Sequence, residues 1–159
     1  MSPSILHNFN DKIIDISVGG AFILFLTGIN NKVYNLDNGL AYAIGDNSYG
    51  QLGEQSVESI YDIIKINSSK DNYFVKISAG FQHSLFLNNQ GTVYGSGKSD
   101  KYQLASDYLD LYHNKPIHQD GIVGLQKIKL KNIEGNIIDI GAGKYHSLFL
   151  TGIIYLLIR

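Results

Sequence analysis

Ala79-Gly80-Phe81-Gln82-His83-Ser84-Leu85-Phe86-Leu87 returns later in the chain as Ala142-Gly143-Lys144-Tyr145-His146-Ser147-Leu148-Phe149-Leu150. An earlier and weaker copy, Ser17-Val18-Gly19-Gly20-Ala21-Phe22-Ile23-Leu24-Phe25-Leu26, carries Phe22 and Ile23 where the other two have His-Ser. Self-similarity at a nearly fixed period marks a tandem array. Each copy is one supersecondary unit that cannot bury its apolar surface alone and stacks on its neighbours, so the array is a scaffold before it is anything else.

Outward from the middle copy, Val75, Ile77 and Ala79 alternate with Lys76 and Ser78, Gly80 breaks the run, and His83, Leu85 and Leu87 alternate with Ser84 and Phe86. That pattern predicts a β-hairpin. Asn88-Asn89-Gln90-Gly91 reads as a turn, with Gly91 supplying a positive φ, and Thr92-Val93-Tyr94-Gly95-Ser96 reads as a third antiparallel strand. Because the second strand is apolar on both faces, its sheet is expected to be covered on both sides. Gly97-Lys98-Ser99-Asp100-Lys101-Tyr102-Gln103-Leu104-Ala105 then matches Gly45-Asp46-Asn47-Ser48-Tyr49-Gly50-Gln51-Leu52-Gly53 of the first copy. A fourth short strand is expected in each of the following linkers, at Ile63-Ile64-Lys65-Ile66 and at Lys127-Ile128-Lys129-Leu130-Lys131, the latter with its lysines on a solvated face.

The 159 residues are 44% hydrophobic and 17% charged, with a formal net charge of −1, the composition of a soluble globular chain with one sizeable core. Seventeen Gly against two Pro, with eleven Tyr, suit a β protein with many tight turns. The absence of Cys removes disulfides, thiolate metal sites and cysteine nucleophiles together. No basic excess favours a nucleic-acid backbone, and no apolar run approaches the roughly 18 residues of a membrane span. The amino terminus, Met1-Ser2-Pro3-Ser4-Ile5-Leu6-His7, lacks the basic and apolar regions of a secretory signal, so an intracellular location, cytoplasmic or nuclear, is expected.

Ile77 to Leu87, Gly91 to Gly97 and Asn47 to Gly53 together resemble the regulator-of-chromosome-condensation repeat. The resemblance implies a seven-bladed β-propeller in which each blade is a four-stranded antiparallel sheet. The expected fold is therefore all-β: tandem four-stranded antiparallel blades forming an incomplete propeller, with repeats at about 13–66, 73–131 and 137–159, the last truncated. Further blades or chains would be needed to close it. The positions that define the repeat are Gly19, Gly45, Gly50, Gly53, Gly80, His83, Gly91, Tyr94, Gly97, Gly143 and His146. The Trp usual before the glycine of the third strand is replaced by Ile44 and Ser96.

Aligning the first copy on the second leaves nine residues over, Gly28 to Leu36, inside a hairpin turn. The third copy departs at the equivalent point, and both departures begin Leu-Thr-Gly-Ile, at Leu26-Thr27-Gly28-Ile29 and Leu150-Thr151-Gly152-Ile153. Gly-Ile can be encoded as a splice-donor-like string and Leu36-Asp37 as an acceptor-like one. Two origins stand open: an ordinary loop insertion with a natural end, or translation of short unspliced introns at Gly28–Leu36 and Gly152–Arg159, in which case the protein continues.

The remaining candidates for chemistry favour structural readings. Gly95-Ser96-Gly97-Lys98-Ser99 imitates the end of a phosphate-binding loop, yet Thr92 stands where its first glycine belongs and no helix is expected to follow. Asp46-Asn47-Ser48-Tyr49-Gly50 alternates oxygen ligands like a calcium loop, but Val57 occupies the closing glutamate position, leaving a side-chain-bonded turn. His83 and His146 recur at one repeat position, which a base or ligand has no need to do, so a buried histidine bonding a neighbouring strand is expected. Phe22 agrees, since an aromatic ring fills the same space. His113 and His118 near Asp107, Asp110 and Asp120 offer at most weak metal binding. No nucleophile, base and orienting group fall together, so no enzyme activity, cofactor or metal is expected.

In founding members of the family one propeller face engages a small GTPase through acidic residues between the blade glycine and histidine. Here those partner-facing positions are Phe81-Gln82 and Lys144-Tyr145, none of them acidic. The expectation is a non-catalytic protein–protein interaction scaffold, with a guanine-nucleotide exchange factor for a Ran-like small GTPase as the alternative.

Overall fold

The computed structural model describes residues 12–28, 39–66, 72–105, 121–130 and 135–152, and every element among them is a β-strand. The first sheet contains β1 (Ile13–Val18), β2 (Phe22–Thr27), β3 (Ala41–Gly45) and β4 (Ile60–Ile66), hydrogen-bonded in sequence order. The second repeats that meander with β5 (Phe74–Ala79), β6 (His83–Asn88), β7 (Val93–Lys98) and β8 (Gly121–Lys127). A third, two-stranded sheet pairs β9 (Ile137–Ala142) with β10 (Ser147–Thr151). All pairs are antiparallel, and one register recurs: Ile16 faces Phe25, Ile77 faces Phe86 and Ile140 faces Phe149.

Every residue of β6 is buried because the strand is covered from both sides. Phe86 enters one core with Phe22, Leu24, Leu26 and Ile66 of the first sheet. Leu85 and Leu87 point the other way, into a second core with Ile137 and Ile140. The sheets therefore stack face to face, the second sheet contributing to both cores and the first and third to one each. Fully burying one such side chain stabilises by about 1.5–3 kcal/mol, and these two cores are what hold successive sheets together.

Strict alternation fails in the inner strands. A register shift between Phe74 and Lys76 puts Phe74 and Ile77 in the core and leaves Val75 exposed, contrary to the expected apolar face at Val75, Ile77 and Ala79. The same shift occurs in β1 between Ile13 and Asp15, and Ile14 and Ile138, at the positions of Val75, are likewise exposed. The fourth strand of the second sheet also differs from expectation. It lies at Gly121–Lys127 instead of 127–131: Ile122 pairs opposite Gly97 and Lys127 opposite Tyr94, and Ile128, whose N donates to the Val93 carbonyl at 2.9 Å, follows the strand and plugs the second core. The expected strand at Ile63–Ile66 is present and begins earlier, at Ile60.

Candidate functional site: the blade seam and its rim

Each third strand ends in a turn built by side chains bonding backbone. In the first, Asn47 Oδ1 accepts from Leu52 N at 2.8 Å, Gln51 Oε1 accepts from Tyr49 N at 2.9 Å, and Asp46 Oδ2 accepts from Gln51 Nε2 at 2.8 Å. The second copy makes the same bonds with Ser99 Oγ for Asn47 (3.4 Å to Leu104 N) and Gln103 Oε1 for Gln51 (2.8 Å to Lys101 N). Backbone geometry is conserved between the two turns with one consequence for strain. Gly50 and Gly53 adopt φ of 83° and 82°, and their counterparts Tyr102 and Ala105 are held at 60° and 48°, a region that L side chains resist. The buried anchors Gln103 and Leu104 impose the conformation.

These turns form one wall of a seam between sheets. Ser84 Oγ donates to the Gln51 carbonyl at 2.5 Å, and its counterpart Ser147 donates to the Gln103 carbonyl at 2.7 Å. Ser147 Oγ has one proton, spent on that carbonyl, so His83 Nε2, at 3.0 Å, is the donor of the bond between them. His83 is fully buried, and its Nδ1 has no partner among the described residues. Burial, reinforced by the nearby His146, lowers its pKa to about 4, so the ring is neutral. The ring lies over Gly80, where a Cβ would collide with it; Phe22 lies over Gly19 and His146 over Gly143 in the same way. Glycine at these three positions is thus a demand of close approach. A second link crosses the seam: Ala79 N donates to Ser17 Oγ at 2.8 Å and Ala142 N to Ser78 Oγ at 2.9 Å.

Above the seam the hairpin turns gather the residues read as partner-facing. Phe81 and Tyr145, both exposed, meet edge to face with ring centroids 6.4 Å apart. Lys144 Nζ sits 5.1 Å from the Phe81 centroid and 5.0 Å from that of Tyr145, and makes no ion pair among the described residues. Gly20 N donates to the Phe81 carbonyl at 3.1 Å and the Gln82 carbonyl accepts from Lys98 N at 2.7 Å, so both residues ride on fixed backbone. The cluster spans two blades and rests on a third turn.

The other repeat positions serve the scaffold. Gly45 ends β3 and Gly97 is the last residue but one of β7, Gly91 closes the hairpin beside Asn88, whose Oδ1 accepts from Thr92 N at 2.7 Å, and the Tyr94 hydroxyl accepts from Asn72 Nδ2 at 3.0 Å. Gly95 to Lys98 lie within β7, and Ser96 Oγ is engaged with the carbonyls of Gly50, Ile122 and Gly124, which leaves no phosphate cradle. Asp46 is likewise saturated by Ser48 and Gln51, as a bonded turn and not a cation loop. His113, His118, Asp107, Asp110 and Asp120 lie outside the described residues, as do 29–36 and 153–159. Among the described residues no metal-holding cluster and no membrane-crossing helix occurs.

Stacked four-stranded meanders that share cores through their faces are propeller blades. Models of the regulator of chromosome condensation (RCC1) repeat match residues 38–87 and 74–103. The structure of human WBSCR16 superposes with a TM-score of 0.72 at 18% identity, covering 92% of this chain and 32% of that one. Yeast RCC1 (Prp20), solved bound to Kap60, superposes at 0.62 with 20% identity, covering 89% and 42%. In sequence, the chain is 30% identical to human E3 ubiquitin-protein ligase HERC2 over 88% of its own length and 2% of HERC2. It is also 30% identical to the guanine nucleotide exchange factor SRM1 of Saccharomyces cerevisiae over 98% of its length and 34% of SRM1. The chain thus spans well under half of these relatives, and it belongs to the RCC1 repeat family.

Proposed function

We propose that the chain is a non-catalytic protein-interaction module acting inside the cell, in the cytoplasm or nucleus, whose partner surface is the rim formed by Phe81, Gln82, Lys144 and Tyr145. The observation that carries the reading is the exposed aromatic pair with the Lys144 ammonium over both rings, making no ion pair among the described residues, held on turns that the seam makes rigid. Exposed aromatic anchors on a fixed scaffold are the usual centres of binding energy. Similarity to SRM1 favours a second reading, exchange on a small GTPase. Against it stands the chemistry of the rim, which is cationic and aromatic where that activity draws on acidic groups.

Pull-downs with the wild-type chain and with Phe81→Ala/Tyr145→Ala test both. Loss of captured proteins by the double variant, with its circular dichroism unchanged, is expected. Equal capture by both chains would sink the rim as the partner surface. Preferential capture of a nucleotide-free small GTPase, with accelerated nucleotide release, would replace the scaffold reading with the exchange-factor one.

A further inference from the structure

The rim extends beyond its two hairpin turns, and its chemistry narrows what can bind there. Ser147 Oγ donates to the Gln103 carbonyl at 2.7 Å, so the turn at 99–105 stands against the entry to β10, close to Tyr145 in sequence and on the same end of the sheets. Tyr102 in that turn is 65% exposed and held at φ 60°, where the first blade has Gly50 at 83°. L side chains resist this region, and a ring that buries so little recovers nothing inside the chain for the strain. A contact outside the chain is what such a ring is placed to make.

Charge on this end is one-sided. Asp100 Oδ2 lies 3.8 Å from Lys98 Nζ and 3.9 Å from Lys101 Nζ, one carboxylate between two ammonium groups. Over the turns 80–83, 97–105 and 143–146, three lysines (Lys98, Lys101 and Lys144) stand against that single aspartate, a local charge of +2 on a chain whose total is −1. The matching turns of the first blade, 19–22 and 45–53, carry Asp46 and no lysine. The cationic field therefore belongs to the second and third blades.

Field and rings together select an anion that does not stack. Lys98 Nζ stands 4.6 Å from the Tyr49 centroid, and Lys144 Nζ covers Phe81 and Tyr145. A face of each of these rings is taken by the chain's own ammonium, which removes a platform that a nucleobase would need. The ring edges carry partial positive charge, which adds to that of the lysines. Resting on the reading of the rim as the partner surface, we infer that its ligand is an acidic linear segment of a partner protein, with carboxylates on Lys101 and Lys144 and an apolar side chain against the exposed rings. Electrostatic complementarity supplies the selectivity and the rings supply the anchor.

Panning random linear peptides displayed on phage against the full chain tests this. The recovered peptides should be rich in Asp and Glu around an aromatic or aliphatic residue. A labelled peptide of that kind, followed by fluorescence anisotropy, should bind about ten-fold more weakly to Lys144→Glu and should weaken as salt is raised. Tyr102→Gly should cost about three-fold or more in affinity while leaving the chain at least as stable, which separates a lost contact from a lost fold. Acidic peptides indifferent to Lys144→Glu, no recovered peptide at all, or displacement by single-stranded oligouridylate overturns the inference. Basic or uncharged peptides that are lost on Phe81→Ala/Tyr145→Ala overturn the acidic ligand and leave the rim as the partner surface. Peptides of any charge that bind this double variant undiminished overturn the rim itself.

Discussion

Deleting Gly28 to Leu36 joins Thr27 to Asp37, and its effect can be worked from the matching hairpin. In the second sheet Asn88 N donates to the Thr92 carbonyl at 2.9 Å across three residues, 89–91; in the first, Thr27 N donates to Leu40 at 3.0 Å across twelve, 28–39. The closing glycines share a conformation, Gly39 at φ 64° and Gly91 at φ 74°. The next bond outward also recurs, Gly28 N to the Lys12 carbonyl at 2.9 Å and Asn89 N to that of Tyr73 at 3.0 Å. After deletion Asp37 N takes the place of Gly28 N, and Asp37-Asn38-Gly39 is a favourable hairpin turn. No described bond is lost without a replacement. Shortening the closed loop four-fold lowers its closure entropy cost by about 1 kcal/mol. Urea and thermal unfolding followed by far-UV circular dichroism should show an unchanged denaturant slope and a midpoint raised by about 3 °C. A deletion variant that fails to fold, or melts below the wild type, would show that the nine residues contribute contacts and refute the reasoning. Sequencing of the transcript then separates a coded loop from a retained intron.

Two further predictions concern the seam. Tyr102→Gly and Ala105→Gly each release a strained φ of 60° or 48° and should stabilise by about 0.5–1 kcal/mol in urea titrations; destabilisation by both would mean that the side chains hold the turn. For His83 the folded pKa of about 4 lies below the ordinary histidine value of 6.5, so the unfolded chain binds the proton first. The stability supplied by the neutral ring is complete above about pH 6.5 and declines as pH falls toward 4, by at most about 3 kcal/mol. His83→Phe, which copies the Phe22 arrangement, should lose that decline, and identical pH profiles for the two chains would remove His83 as its source.

The repeat made much of the architecture readable. Three hairpins follow from the glycine-histidine echo, and the two-sided burial of β6 follows from Leu85, Phe86 and Leu87. The seam was less accessible. Ser84, Ser147, Gln51 and Gln103 are as regular as the histidines, yet nothing local shows that a serine on one blade bonds a turn carbonyl on the one before it. The strand at 121–127 escaped notice because Gly121 and Gly124 break its apolar pattern, while Lys127-Ile128-Lys129-Leu130-Lys131 alternates better in sequence. Val75 misleads for a related reason: a bulge is a property of the pairing, and one strand does not carry its signature. On the rim, Lys144 between Phe81 and Tyr145 depends on residues far apart in sequence, so their positions could be anticipated and their mutual contact could not.

The direction of the seam bonds bears on how this chain is made. Ala79 and Ala142 donate backward to Ser17 and Ser78, and Ser84 and Ser147 donate backward to the carbonyls of Gln51 and Gln103. A chain leaving the ribosome therefore presents each new hairpin to acceptors already in place, and folding can follow synthesis from the amino terminus without waiting. Other contacts run the other way: Gly20 N donates to the Phe81 carbonyl and His83 donates to Ser147, each to an acceptor translated after it. Until β10 emerges, the Nε2 proton of His83 has no serine hydroxyl to meet, so the seam of the second blade is finished only by its successor.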